Sequence, residues 1–273
     1  MKYYNLFLIY VFTITYLFAD NNFTIVETDN LSTTVSFNIG EISFNEENGY
    51  HKIISDSKGL TDNVGEPEIP TYAFNYAIDR NKEYNISYYV NDFEIIENVN
   101  IYPYQGIIDK DSMSKDNSLY NSSQIYPTQN LDFQRMSLRG YELYGIQLVP
   151  FEYNFENRSL KVYSSVDIVI TETGMRNSPS DTPRSRVFEK MYNDFVINDN
   201  EYEDNRNFQN PSILYIMEDY NSLIEPLVEW RRKQGFEVTV IDDSDISGSF
   251  NTGNIKDYIE DAYDNWNNPP EFL

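Results

Sequence analysis

The chain has 273 residues, which is room for one large domain or two smaller ones, and its 24 Tyr and 17 Phe argue against a disordered protein. Acidic residues outnumber basic ones by 44 to 20, and the resulting formal net charge of −24 excludes nucleic acid and anionic membranes as expected partners. The sequence contains no cysteine, so disulfides, thiolate metal sites and a cysteine nucleophile are excluded within these residues. The acidic residues form no calcium-loop pattern, and the sequence therefore predicts neither a metal site nor a cofactor.

The first residues have the pattern of an export signal. Lys2 precedes an apolar run from Leu6 to Phe18, and Ala19 comes directly before Asp20. This pattern predicts a leader at residues 1–19 that is cleaved after Ala19, and the run is too short to span a membrane comfortably. We therefore expect an exported protein that lies in the periplasm, at the cell surface or outside the cell, without membrane attachment after cleavage.

From Asn22 to Gly174, apolar residues alternate with polar ones. The clearest run predicts a long strand with one aliphatic face, formed by Leu160, Val162, Val166, Ile168 and Ile170. Similar runs at residues 35–39 and 84–90 are separated from others by turn sequences such as Glu46-Glu47-Asn48-Gly49. Regularly spaced strands with such breaks predict a mainly β fold, an antiparallel sandwich or barrel.

Two polar stretches interrupt this pattern. Residues 107–134 are rich in Asp, Ser and Asn, and a connection of this length in a compact domain is usually functional or disordered. Residues 176–210 are basic at first and acidic later, with one short helix predicted at Val187–Val196. We interpret this second stretch as an exposed linker between domains that proteases reach easily.

After Pro211 the sequence has the pattern of a parallel α/β sheet. Continuous apolar runs at Ser212–Met217 and Phe236–Ile241 predict strands buried on both faces. A helix is predicted after each strand, the second over Ile255–Trp266. The order β-α-β-α opens a doubly wound sheet, and Phe272-Leu273 has the start of a third strand. Because two parallel strands cannot bury both faces of a sheet, we expect a domain that is cut short.

The first of these helices has recognisable ends. Ser222–Glu225 has the pattern of a capping box, and Gly235 is typical of the residue that follows a helix. We predict that the apolar side of this helix is formed by Leu223, Leu227 and Trp230.

The order of several motifs resembles the precursors of gingipain-type cysteine peptidases, peptidase family C25. Gly65-Glu66-Pro67-Glu68-Ile69-Pro70 resembles a Gly-x-Pro-x-x-Pro element of the family's propeptides, and Arg139-Gly140-Tyr141 with Val149–Asn154 is similar to their second signature. Leu227–Val238, followed by Pro269–Leu273, is similar to the start of the family's catalytic domain. The resemblance covers nearly everything from about residue 24 onward.

This resemblance implies four segments: a signal peptide at 1–19, a β-sandwich propeptide at 20–175, a linker or maturation region at 176–210, and the incomplete N-terminal part of a caspase-like α/β peptidase domain at 211–273. The propeptide would keep the peptidase latent and assist its folding, with the cognate peptidase domain of the same precursor as its partner. The family's catalytic Cys and His would follow Leu273. No catalytic residue is therefore assigned, and the chain alone is expected to be inactive.

The same resemblance points to two sets of basic residues. It implies that the propeptide presents a basic residue to the specificity pocket, which makes Lys110 and Lys115 candidates for an inhibitory loop; otherwise they are solvated charges beside acidic neighbours. Arg176, Arg184 and Arg186 are candidates for maturation cleavage, or else ordinary linker residues.

Two other functions stay open at this point. The chain is alternatively a stand-alone secreted β-sandwich binding module or protease inhibitor, in which exposed aromatic residues such as Tyr88 and Tyr89 contact sugar or protein. A hydrolase that uses pairs of Asp and Glu is the third hypothesis, although no pair stands out. His51 is the single histidine, and we expect it to be an ordinary strand residue rather than part of a catalytic triad.

Overall fold

The computed structural model describes residues 22–106, 113–138, 141–177, 184–198, 208–219 and 223–273, so the predicted leader and its cleavage position Ala19 lie outside the described residues. The chain divides into two compact units, which we describe separately. The first, named the β unit, comprises Met1–Met136, Glu142–Ser178 and Phe195–Asp199; the second, named the α/β unit, comprises Ser137–Tyr141, Pro179–Asp194 and Asn200–Leu273.

The elements of the described residues follow one another in chain order. They are β1 (Phe23–Thr28), β2 (Ser32–Asn38), β3 (Ser43–Glu47), β4 (Tyr50–Ile54), β5 (Gly59–Leu60), β6 (Pro70–Ile78), β7 (Lys82–Ile96), α1 (Asn117–Tyr120), β8 (Ile125–Tyr126), β9 (Leu131–Leu138), β10 (Tyr141–Leu148), β11 (Phe151–Asn154), β12 (Ser159–Met175), α2 (Arg186–Phe195), β13 (Ser212–Ile216), α3 (Glu225–Lys233), β14 (Glu237–Ile241) and α4 (Thr252–Asn265).

The larger sheet of the β unit has six antiparallel strands, in the order β1-β2-β12-β11-β8, with β7 also paired to β12. The long strand β12 is its centre. β7 pairs with it from Leu160 to Met175 along one edge, and the other edge is shared by β11 and β2. β12 therefore has partner strands along both edges, which satisfy many of its backbone polar groups.

The predicted apolar face of β12 is confirmed. Leu160, Val162, Val166 and Ile168 are completely buried, and Ile170 is 2% exposed. Burial of a side chain of this size contributes about 1.5–3 kcal/mol, so this strand is a major source of the unit's stability.

A second, four-stranded sheet packs against the first. Its order is β5-β6-β10-β9. The ring of Tyr72 on β6 lies 4.9 Å from that of Phe37 on β2, and Phe74 lies 4.6 Å from Phe23. These contacts join the two sheets face to face, which confirms the predicted antiparallel sandwich.

The predicted turn at residues 46–49 is confirmed as the tip of the β3–β4 hairpin. Asn48 and Gly49 connect the two strands, with φ of 53° and 77°. Two successive residues with positive φ match the right-handed twist of the paired strands, and Asn-Gly adopts them readily.

The predicted polar connection at 107–134 contains more regular structure than expected. It includes α1, β8 and the first residues of β9. Asp116 is the N-cap of α1, and its carboxylate accepts hydrogen bonds from the N–H groups of Ser118 and Leu119. Capping of a short helix by an Asp side chain is a local interaction. It is hard to recognise in the sequence of a stretch that is rich in polar residues throughout.

The α/β unit has the predicted parallel sheet. β13 and β14 pair in parallel from Ser212↔Glu237 to Ile216↔Ile241. Phe272 forms a parallel bridge with Ile213, and its carbonyl accepts a 2.9 Å hydrogen bond from the N–H of Leu214, so the predicted third strand begins as expected. Leu214, Ile241, Ile246 and Ala262 form one buried hydrophobic cluster of this unit.

The C-terminal end of α3 agrees with prediction, whereas its buried side does not. Gly235 follows the helix with φ of 95°, as predicted. The helix begins at Glu225 with Ile224 as its N-cap, and Ser222 of the predicted capping box lies outside the described residues. The predicted apolar side is wrong: Val228 is buried, whereas Leu223, Leu227 and Trp230 are 86%, 41% and 50% exposed. The less exposed side of the helix is formed by Ile224, Val228 and Arg231, which have helical spacing. Because one of these residues is an arginine, this side does not have the apolar pattern from which a buried side is predicted.

The predicted linker at 176–210 is divided between the two units. Its predicted helix is confirmed as α2, and Tyr192 of this helix is buried within the α/β unit at 4.6 Å from the ring of Tyr141. Phe188 of α2 stacks on Phe272 at 5.9 Å. Phe195, the last residue of α2, and the three residues that follow it, Val196–Asn198, belong to the β unit.

Candidate functional site

The base of the segment that carries Lys110 and Lys115 lies beside the Gly-x-Pro-x-x-Pro motif. The N–H of Asp116 donates to the carbonyl of Gly65 at 2.9 Å, and the N–H of Gly65 donates to the carbonyl of Tyr104 at 2.8 Å. Gly65 has φ of 89°, and a Cβ atom at this position would lie 3.0 Å from the backbone nitrogen of Asp116. The motif therefore requires glycine here, because the backbone of the following segment passes too closely for a side chain.

A side-chain amide closes this segment at its base. Gln105 Nε2 donates to the carbonyl of Ser114 at 2.9 Å, and Gln105 Oε1 accepts from the N–H of Ser114 at 2.8 Å. The amide thus pairs with both backbone groups of one residue, as a neighbouring strand would. Gln105 could not be singled out from the sequence, because a pairing across nine residues leaves no local sequence pattern.

The side chain of Lys115 is held within a cluster of tyrosines. Its Nζ donates to Tyr50 Oη at 3.0 Å and lies 4.6 Å from the ring centroid of Tyr120. A half-buried ammonium over an aromatic face is stabilised by about 0.5–2 kcal/mol. The structure therefore places Lys115 as an anchor at the base of the segment.

The charges around this anchor are set by burial and hydrogen bonding. Burial raises the pKa of Tyr120 far above its usual value, so the phenol stays neutral and its hydroxyl donates to the carbonyl of Ile101 at 2.9 Å. Hydrogen bonds from the Ser118 hydroxyl and the Leu119 N–H lower the pKa of Asp116, which stays ionised at the N-terminus of α1. Lys115 thus lies over the neutral phenol of Tyr120, while the carboxylate of the adjacent Asp116 caps α1.

Lys110 lies outside the described residues. Its assignment to an inhibitory loop stays a prediction, as does the assignment of Lys115.

Among the candidate maturation residues, Arg176 is part of an ion-pair network. Its guanidinium lies 3.3 Å from the carboxylate of Glu142 and 3.5 Å from that of Glu83, and its backbone N–H donates to the carbonyl of Asn81 at 2.6 Å. Glu142 also binds Arg135. A peptidase that cut after Arg176 would first have to break these interactions.

The expectation of an exposed linker is wrong at Arg184, because this side chain packs within the α/β unit and is only 7% exposed. Its guanidinium lies 4.5 Å from the ring of Tyr141 and 5.7 Å from that of Phe208. Arg186, the first residue of α2, is exposed and lies 4.9 Å from the Phe208 ring. Cleavage after any of the three arginines stays a prediction.

His51 has a structural role in the β unit. Its Nδ1 accepts a 3.0 Å hydrogen bond from the backbone N–H of Asn100, and the backbone N–H of His51 donates to the carbonyl of Asn100 at 2.7 Å. The half-buried imidazole thus joins β4 to the neighbouring segment, as expected of a strand residue. Within the described residues, no cluster of three or more His, Asp or Glu side chains is arranged to hold a metal ion. None of the described helices has the length and apolarity to cross a membrane.

Comparison with known proteins gives two successive family matches. A family model described as Propeptide_C25 matches residues 16–208, and a model described as Peptidase family C25 matches residues 206–273. Together they cover almost the whole chain.

Individual relatives agree with these matches. Gingipain R1 of Porphyromonas gingivalis is 22% identical over 251 residues, which is 85% of this chain and 25% of the relative. A second gingipain R1 sequence from this organism is also 22% identical over 251 residues, which is 14% of its length. The chain therefore spans a quarter or less of the curated relatives it matches.

A solved structure shares the fold. The complex of Porphyromonas gingivalis RgpB pro- and mature domains matches with a TM-score of 0.57 and 16% identity, over 66% of this chain and 97% of the matched chain.

Proposed function

Because this chain belongs to the C25 propeptide family and continues into the start of a family C25 peptidase domain, we propose that residues 20–175 form the latency module of an exported cysteine endopeptidase precursor. The order of the two family matches on one chain is the observation that carries this proposal. The β unit keeps the cognate peptidase domain inactive and assists its folding. The peptidase domain supplies the catalytic groups, since this chain contains no cysteine.

Inhibition of a C25 peptidase tests the latency function. Residues 20–273 are mixed with mature gingipain R1, and the hydrolysis of fluorogenic peptides with Lys or Arg before the cleaved bond is followed. We expect the rate to fall as the concentration of the chain increases. A chain that folds but leaves the rate unchanged at every concentration contradicts the proposal and favours a stand-alone binding module.

Within this module, we assign different roles to the two lysines of the candidate loop. Lys110 is the basic residue presented to the specificity pocket. Lys115 anchors its own part of the loop instead, since its ammonium is already engaged by Tyr50 and Tyr120. When a lysine that fills the specificity pocket is removed, the charge that pairs with it in the pocket is left without a partner. Lys110→Ala is therefore expected to raise the inhibition constant about 30-fold or more.

The same assay separates these roles. Lys115→Ala is expected to weaken inhibition less than Lys110→Ala, because it removes an anchor and not the presented charge. Lys190→Ala is the matched control, since Lys190 is 84% exposed on α2. Unchanged inhibition constants for both loop variants rule out the inhibitory-loop assignment.

We also propose two cleavages during export and maturation. The first removes the leader after Ala19. The second follows Arg186, since Arg186 is exposed and begins a helix whose first N–H groups have no partner within the helix, whereas Arg176 is ion-paired and Arg184 is buried. N-terminal sequencing of the exported products is expected to give Asp20 and Val187, and Arg186→Ala is expected to remove only the second sequence. Products that begin at Asn177 or Ser185 would assign the cut to Arg176 or Arg184 instead.

A further inference from the structure

Strand β6 has one edge that no described strand fully covers. β10 pairs with the opposite edge from Tyr72 to Ile78, while β5 reaches only Pro70 and Thr71 on this one. A central strand with an open edge presents backbone N–H and C=O groups that bind an added segment.

Residues Phe195–Asn198 lie along this open edge. Val196 forms a parallel bridge with Asn75, and the N–H of Ile197 donates to the carbonyl of Asn75 at 3.0 Å. The side-chain amide of Asn75 donates in turn to the carbonyl of Phe195 at 3.2 Å.

Asn198 extends this pairing with its side chain. Its Oδ1 accepts from the N–H of Ala77 at 2.7 Å, and its Nδ2 donates to the carbonyl of Ala77 at 3.1 Å. The amide thus satisfies both backbone groups of one β6 residue. Ile197 is partly buried against the main core of the β unit, so the segment has an apolar contact as well as four hydrogen bonds.

The position of this segment in the chain gives it a consequence for processing. It belongs to the β unit, yet it follows Arg176, Arg184 and Arg186 in sequence. A cut after any of these arginines leaves Phe195–Asn198 on the C-terminal fragment, although its hydrogen bonds are made to the N-terminal one.

We propose that Phe195–Asn198 is a strap that retains the propeptide on the downstream fragment after the maturation cut at one of these arginines. Separation then requires release of the strap from β6 or a second cut after Asn198. This inference rests on the proposed maturation of the precursor but does not depend on inhibition.

Controlled nicking tests the strap. A recognition sequence for a site-specific protease is placed between Arg176 and Arg186 in residues 20–273, the chain is cut completely, and the dissociation constant of the two fragments is measured. We expect the fragments to elute together. Asn198→Ala removes two hydrogen bonds to Ala77 and is expected to raise the dissociation constant about tenfold. Asn193→Ala, the same chemical change at an exposed position of α2, is the matched control and is expected to change nothing.

A second cut position gives an internal control. When the recognition sequence is placed after Asn198 instead, the strap stays on the N-terminal fragment, and Asn198→Ala is expected to leave the fragment dissociation constant unchanged. Circular dichroism of the uncut variants shows whether each one folds. If Asn198→Ala folds, Ile197→Asp, which places a charge in the partly buried position, is expected to weaken retention further.

The outcomes are distinct. Equal dissociation constants for Asn198→Ala and Asn193→Ala after the upstream cut overturn the strap, as does an equal effect of Asn198→Ala at both cut positions. The strap and the latency function can also fail separately. If Asn198→Ala weakens the association of the fragments but the chain does not inhibit gingipain R1, the strap is supported and the latency function is contradicted.

Discussion

Tyrosine is the residue that the interior of the β unit uses most distinctively. Tyr72 and Tyr153 are almost completely buried, and their hydroxyl groups donate to Asp56 Oδ1 and to the carbonyl of Val99, both at 3.1 Å. Tyr76 donates to Thr33 Oγ1 at 2.7 Å across the sandwich. Each side chain thus contributes a large apolar ring and still satisfies its polar end. Burial raises the pKa of Tyr153, so ionisation of such a tyrosine at alkaline pH is expected to destabilise the fold.

Tyr163 on β12 gives the sharpest test of that sensitivity. It is 3% exposed, and burial, together with a hydrogen bond to Glu152, raises the pKa of Tyr163 well above the ordinary value of 10. Because the pKa is raised in the folded state, its stabilising effect is complete below pH 10 and is lost as the pH rises above 10. The slope is about 1.4 kcal/mol per pH unit for one proton.

Tyr163→Phe is therefore expected to be less stable than the native protein at pH 8, by about 1 kcal/mol for the lost hydrogen bond. Above pH 10 the difference is expected to shrink and then change sign, because phenylalanine cannot ionise in the unfolded chain. Urea unfolding followed by far-ultraviolet circular dichroism at pH 8, 10 and 11 measures this, and the other buried tyrosines contribute equally to both proteins. If the free energies of unfolding of the native protein and of Tyr163→Phe fall in parallel over this range, the pKa of Tyr163 is not raised in the folded state.

Single residues differ in how much of their role could be predicted from the sequence. The importance of Gly65 was expected from its motif, and its φ and the nearby backbone of Asp116 supply the physical reason. The burial of Arg184 could not be expected, because it depends on the ring of Tyr141, 43 positions earlier in the chain. A guanidinium beside aromatic rings has no signature in the polar, Pro-containing sequence around it.

At the scale of elements, prediction succeeded where one periodic pattern decides burial. The aliphatic face of β12 was predicted in full because five side chains at a period of two have no other stable arrangement. The parallel pair β13–β14 and the start of a strand at Phe272 were expected for the same reason. The buried side of α3 was not predicted. The exposed Leu227 and Trp230 have a more apolar pattern in the sequence than the side of the helix that is buried, which includes an arginine.

Elements that are fixed by tertiary contacts could not be predicted. The helix α2 was expected from its sequence, but its placement within the α/β unit depends on the contacts of Tyr192 and Phe188. The return of Phe195–Asn198 to the β unit depends on Asn75 and Ala77, which are more than 100 residues away in sequence. Composition alone suggests one linker, whereas backbone pairing divides it.

At the scale of the whole molecule, charge is the dominant feature. A formal net charge of −24 opposes compaction through self-repulsion. Attractive ion pairs such as Arg135–Glu142, Arg176–Glu142 and Lys82–Glu172 offset part of it, but the 20 basic residues of the chain are fewer than half of its 44 acidic ones. Partly exposed pairs each contribute at most about 1 kcal/mol, so repulsion is expected to decide how stability responds to salt.

Increasing NaCl from 0.01 M to 1 M is therefore expected to raise the urea concentration at the midpoint of unfolding at pH 7, since the Debye length shortens from about 30 Å to about 3 Å. Urea is uncharged and does not itself screen these interactions. A variant in which exposed Glu41, Glu94 and Glu97 are changed to Gln loses three negative charges and is expected to show a smaller increase. This comparison separates charge screening from any general effect of salt on apolar surface, which both proteins share. A midpoint that falls with salt would mean that the ion pairs outweigh the repulsion and that the excess acidity has little effect on stability.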